Sequence, residues 1–113
     1  PPLVLFCLGH EATNLPQFLS AGRFVVNVLN EAQKDISNGF ARDGDSFFES
    51  LAHDWSENGC PVIPGAVAVF ECDLETTHEG GDHIILIGRV RKVWHSPDGS
   101  PLVYYRSRYA TVR

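Results

Sequence analysis

The feature that most limits the fold is the stretch from His83 to Trp94, the longest run in the chain with a two-residue apolar period. His83, Ile85 and Ile87 fall on one face, and Ile84, Leu86, Val90 and Trp94 on the other. Successive side chains of a strand point to opposite sides, so this pattern predicts one long strand and a fold organised around a sheet. Gly88 sits in its middle. A glycine there marks a bulge, or a place where a ligand or another backbone comes close.

The remaining elements follow from the same reasoning. Leu3 to Leu8 is apolar on both faces and reads as a central, buried strand preceded by two prolines. Asn14 and Gln17 resemble a cap ahead of a short helix carrying Leu15, Phe18 and Leu19, which Gly22 ends. Phe24 to Leu29 is a second buried strand. Asn30 and Gln33 repeat the cap before a helix with Ala32, Ile36 and Phe40 on one stripe and Gly39 near its end. Arg42 to Pro64 reads as irregular, with one turn carrying Phe47, Leu51 and Trp55.

Ala66 to Leu74 alternates, with Ala66, Ala68, Phe70, Cys72 and Leu74 sharing a face. Glu75 to Asp82 is expected to be a connection. Ser96-Pro97-Asp98-Gly99 is expected to be a hairpin turn, and Leu102 to Tyr109 a last strand. Five strands with two or three short helices among the early ones predict a small, mainly β barrel. Helix and strand do not alternate as a doubly wound fold requires.

Composition narrows the function. The 113 residues carry 9 basic and 14 acidic side chains, a formal charge of -5, and the cations are scattered until Arg106, Arg108 and Arg113. Nucleic acid needs a concentrated basic face, so it is not the expected partner. No apolar run approaches the roughly 20 residues of a membrane helix. Three cysteines leave an odd thiol under any pairing, which points to a reducing, cytoplasmic setting. The chain holds no methionine and no secretory leader, and its first strand begins almost at once. It is therefore expected to be part of a longer protein, lacking opening strands.

Several chemistries lack their signatures. Cys72, His78 and His83 do not have the spacing of a structural zinc site, no Cys/His pair shows a local activating motif, and no phosphate-binding glycine loop occurs. His83 is the residue of most interest. It follows Gly80-Gly81-Asp82 and is expected at a barrel mouth, able to hydrogen-bond a ligand near neutral pH. A histidine merely solvated at a strand end satisfies the same pattern. Tyr104-Tyr105-Arg106-Ser107-Arg108-Tyr109 offers rings and guanidinium groups to a planar anion, or equally protects an edge strand with charge.

Five segments in series carry a resemblance: Pro1-Pro2-Leu3-Val4-Leu5; Gly22-Arg23-Phe24-Val25-Val26-Asn27-Val28-Leu29; Gln33 with Phe40-Ala41; Gly81-Asp82-His83 with Gly88-Arg89-Val90; and Pro101-Leu102-Val103-Tyr104-Tyr105 through Tyr109. Together they resemble the flavin reductase family, whose fold is the FMN-binding split β-barrel with short helices between strands. The resemblance covers nearly the whole chain, so residues 1–113 are expected to be one such domain.

It implies a homodimer that binds FMN or FAD near the subunit interface and uses NADH or NADPH. Such a protein supplies reduced flavin to a partner monooxygenase. The alternative is a non-catalytic flavin- or ligand-binding module of a larger protein. His83 is implied beside the nicotinamide or flavin edge, Arg106 and Tyr109 lining the pocket, and Thr13 and Asn27 as flavin contacts. The chain departs from the family in three places. The Ser/Thr-rich lead-in is absent, Gly9-His10-Glu11-Ala12-Thr13 keeps only Thr13 of the usual phosphate loop, and Ser107 replaces a glycine.

Overall fold

Two antiparallel strands of 13 residues, β5 (Ala68–Gly80) and β6 (His83–His95), form the spine of the protein. The computed structural model describes residues 1–112, so Arg113 lies outside the described residues. Around the spine the order is β1 (Leu3–Gly9), α1 (Leu15–Ala21), β2 (Arg23–Val28), α2 (Lys34–Asp43), α3 (Asp45–Ser50) and the short pair β3 (Asp54–Trp55) and β4 (Pro61–Val62). After β5 and β6 comes the hairpin β7 (Val103–Tyr105) and β8 (Arg108–Ala110). The main sheet is antiparallel, in the order β1-β6-β5-β2. It curls into the half-barrel of a split-barrel fold, mainly β with short helices, as the sequence implied.

Two bulges bend the spine. Arg91 on β6 is the extra residue where Glu71/Lys92 pairing steps to Cys72/Val90, and Glu75 on β5 is extra where Leu74/Gly88 steps to Thr76/Ile87. A bulge offsets the side-chain parity of its strand and increases local twist. Val69 and Cys72 lie three residues apart on β5, hence on opposite faces, and both are buried, so the sheet is covered on both sides there. Because the extra residue of the first bulge is on β6, the expected alternation of Phe70, Cys72 and Leu74 along β5 is kept up to Glu75.

The concave side holds the core. Leu15, Ile84 and Leu86 are buried together, with Phe6, Leu8, Phe18 and Leu74 packed on them. Phe6 meets the rings of Phe18 and Phe24 edge-on, with centroids 5.3 Å and 5.0 Å apart. Such pairs add roughly 0.5–1.5 kcal/mol beyond burial. Gly88 borders the Glu75 bulge, as its position in the strand suggested. It makes room for the Phe24 ring.

Other expectations are corrected. β1 is an edge strand, not a central one, and Leu3, Leu5 and Cys7 on its convex face are exposed. Glu75 to Gly80 continues β5, leaving only Gly81-Asp82 as the turn, because Gly81 adopts φ +72°. Residues 42–64 contain the end of α2, α3 and the β3–β4 hairpin. Gly39 lies inside α2, not at its end.

The cap at Asn30 operates one turn early. The Gln33 side chain accepts from the Asn30 backbone N–H at 2.9 Å, while Asn30 Oδ1 accepts from Ala32 N–H at 2.7 Å, and α2 starts at Lys34. Ser96 to Gly99 does not close a hairpin, because β7 pairs with β8 rather than β6; Leu102 to Tyr109 is itself the hairpin, reversed at Arg106 and Ser107 with φ of 51° and 62°. Two positive-φ residues suit a tight two-residue hairpin turn. Among the described residues no helix is long and apolar enough to cross a membrane.

Candidate functional site

The antiparallel register brings three strand ends together. His83 opens β6 opposite Gly9, the last residue of β1, and opposite Gly80, the last of β5. Gly9 lacks a side chain beside this ring; a Cβ built there would lie 3.9 Å from His83 Nε2. The His10 backbone N–H donates to the Asp82 carbonyl at 3.0 Å, tying the loop after β1 to the β5–β6 turn.

Two imidazole–carboxylate pairs result. His83 Nδ1 bonds Asp82 Oδ1 at 2.7 Å, and His10 Nε2 bonds Glu79 Oε2 at 2.9 Å. A carboxylate only accepts, so the bonded nitrogen carries the proton in each ring. His83 Nε2 is thereby left without a partner among the described residues. The side chains of His83 and His10 are 49% and 42% exposed, so both are open to a ligand. The hydrogen bond from His83 and then its charge hold the Asp82 carboxyl below the usual carboxylate range.

Thr13 is exposed in the turn between β1 and α1, within the loop that Ala12 N–H closes onto the Gly9 carbonyl. It therefore shares an end of the sheet with His10 and His83. Asn27 does not. On β2 its Oδ1 accepts from Ile63 N–H at 3.0 Å and its Nδ2 donates to the Pro61 carbonyl at 3.2 Å. Both functions of the amide hold β4 and the residue that follows it, so Asn27 acts as a staple.

Arg106 and Tyr109 are also elsewhere. Their hairpin is joined to the chain after β2, through Leu102 N–H to the Leu29 carbonyl at 2.9 Å and the Asn30/Pro101 bridge. That is the Ala68/His95 end of the spine, opposite to His83. Tyr109 Oη is 2.9 Å from both Ser37 Oγ and Asn38 Oδ1, and the Arg106 guanidinium lies 5.3 Å from the Tyr105 ring centre. One chain alone does not bring the histidine-led strand and the tyrosine/arginine hairpin to a common hollow.

Sequence reasoning missed His10. Its signal was present as the basic position of a loop following a strand, but its neighbours Glu79 and Asp82 depend on the pairing of β1 with β6. Such long-range pairing leaves no trace in local periodicity.

The profile of the flavin reductase like domain family matches residues 1–113. The chain is 42% identical over 113 residues to a probable flavin reductase of Rhizobium meliloti, covering all of this chain and 36% of that protein. It is 40% identical over 109 residues to a flavin reductase of Pseudomonas putida, covering 96% of this chain and 64% of that one. Its fold superposes on an NADH:FAD oxidoreductase of Streptomyces globisporus C-1027, solved with NAD and FAD fragments, with a TM-score of 0.93 at 32% identity, covering 100% of this chain and 69% of that one. The chain thus spans between about one third and two thirds of the two curated relatives.

Proposed function

Because the chain belongs to the flavin reductase like domain family, we propose that it is the flavin-binding domain, over residues 1–113, of an NAD(P)H-dependent flavin reductase. It supplies reduced FMN or FAD to a partner monooxygenase. The observation that carries this reading is the superposition of the whole chain on an oxidoreductase solved with NAD and FAD fragments.

The residues at the His83 end fit such ligands. Two imidazoles and the Thr13 hydroxyl supply donors suited to phosphate and ring oxygens. The carboxylates of Glu79 and Asp82 are each hydrogen-bonded to an imidazole. Nicotinamide and flavin, when bound, supply the hydride chemistry themselves.

The protein's contribution is positioning. Asp82 fixes the His83 ring with its Nδ1 protonated, so Nε2 is turned to accept a hydrogen bond from a bound ring or to carry a proton for it. Gly9 keeps the approach to that nitrogen open. Thr13 donates toward the phosphate side of the ligand.

Arg106 and Tyr109 enter the same site only from a second copy, so the working unit is a homodimer. The exposed apolar face of β1, with Leu3 and Leu5 at 49% and 63% exposure, supports this. It lies beside Ile85 and Ile87 of β6. Three free thiols accord with a cytoplasmic setting.

The test is oxidation of NADH or NADPH by the purified chain with and without added FMN or FAD. Turnover that requires flavin, and that His83→Ala lowers roughly tenfold or more, is expected. Flavin binding without turnover, in both this chain and its full-length parent, would leave a non-catalytic binding module instead.

A further inference from the structure

Away from the His83 end, a cavity of about 410 Å³ opens between α1, β2 and the α2–α3 corner. That is within the roughly 300–1,000 Å³ of small-molecule sites. Its walls are aromatic: Phe18 from α1, Phe24 from β2, Phe40 from α2 and Phe48 from α3. Phe40 and Phe48 lie tilted with centroids 6.4 Å apart, and Phe40 remains 38% exposed although it is a large apolar ring.

One cation joins these rings. Arg23 lines the cavity, and its cross-strand partner in register is Asp73. That carboxylate is committed elsewhere, because the bulge residue Arg91 swings onto it at 2.6 Å. Arg42, Arg89 and Lys92 also have acidic partners, whereas Arg23 has no carboxylate partner among the described residues of a chain with net charge -5. Its neighbour is Cys60, whose thiol burial pushes up against the opposing pull of Arg23. The guanidinium therefore meets a neutral thiol and keeps its capacity for a planar, two-point bond to a carboxylate.

We propose that this cavity binds a small aromatic carboxylate, with its ring among Phe18, Phe24, Phe40 and Phe48 and its carboxylate on Arg23. Offset or edge-on ring contacts select a flat aromatic body over an aliphatic one of equal volume. The site is independent of flavin reduction and stands whether or not the chain turns over NADH.

The test uses the full chain, isotopically labelled, titrated with 2-naphthoate and with its neutral counterpart 2-naphthamide by NMR. The acid is expected to bind roughly tenfold or more tightly than the amide, the range of a hydrogen bond to a charged group, with shifts centred on Phe18, Arg23, Phe40 and Phe48. Arg23→Gln abolishes the preference and leaves amide binding unchanged, whereas Arg108→Gln alters neither. Equal affinity for acid and amide, shifts centred elsewhere, or no saturable binding at millimolar ligand overturns the proposal. The comparison of acid with amide on the unaltered chain decides the matter even if the Arg23 variant does not fold.

Discussion

The ring of Phe24 on β2 occupies the space that a side chain on Gly88 of β6 would need, although β5 runs between the two strands. A Cβ on Gly88 would touch Phe24 Cζ, stand 2.9 Å from Phe24 Cε1 and 3.0 Å from Cys72 Cβ. Both neighbours are buried, at 4% and 0% exposure, and have nowhere to retreat. Gly88→Ala is therefore expected to destabilise the fold by about 1–3 kcal/mol, the usual cost of overpacking. The check is a double-mutant cycle in urea with Phe24→Leu. The penalty of the alanine should shrink in that background, and an unchanged penalty would rule out this contact as the cause.

Gly39 makes a similar accommodation inside α2, where a Cβ would run into the Phe47 ring of α3. Helix propensity alone predicts that Gly39→Ala stabilises by about 1 kcal/mol. The packing predicts the opposite sign, since the α2–α3 corner must open to admit a methyl group. Thermal unfolding of the variant separates the two, and a raised midpoint would show that Phe47 moves aside freely.

Acid should weaken the protein through surface carboxylates. Glu57 is held below its ordinary range by Lys92, Glu75 by Arg89 and Asp82 by His83, in each case first through a hydrogen bond. A carboxyl with a lowered folded-state pKa stabilises above its unfolded value, and that contribution is lost as pH falls through the folded one. The urea midpoint is thus expected to hold from pH 7 down to about 5 and to decline below about 4. By NMR, His83→Ala should move the Asp82 titration upward toward an ordinary aspartate while leaving Glu57 in place.

The three thiols should react in sequence. Cys7 is exposed on β1, Cys60 is half-buried with its thiol pushed up by burial, and Cys72 is fully buried with its thiol raised for the same reason. Because the thiolate is the reactive form, an aromatic disulfide reagent at neutral pH is expected to titrate Cys7 first, Cys60 more slowly and Cys72 only on unfolding. Mass spectrometry of the partly labelled protein identifies each site. Early modification of Cys72 would show that the sheet opens locally.

The strands and helices were legible where a local period or cap records them: His83 to His95, Arg23 to Val28 and α1 are close to their expected bounds. The split-barrel class was legible too, as a resemblance spread across five segments. What local pattern misjudged was set by pairing between distant segments. Leu3 to Leu8 is apolar on both sides, yet which strands flank it is a matter of sheet order, and β1 lies at an edge. The polar residues 75–80 look like a loop but extend β5, because β6 offers them a continuous row of backbone partners.

The sequence alone determined a mainly β domain and marked His83 as its most chemically suggestive side chain. Short-range periodicity and turn chemistry are local properties that the chain carries in any conformation. Only the tertiary structure decided that His10, Glu79 and Asp82 gather round His83, that Asn27 is committed to the β4 segment, and that Arg106 and Tyr109 lie at the far end. The bulge on β6 decided that Arg91 takes the carboxylate opposite Arg23. Each depends on antiparallel register, and register is a relation between segments that neither one encodes by itself.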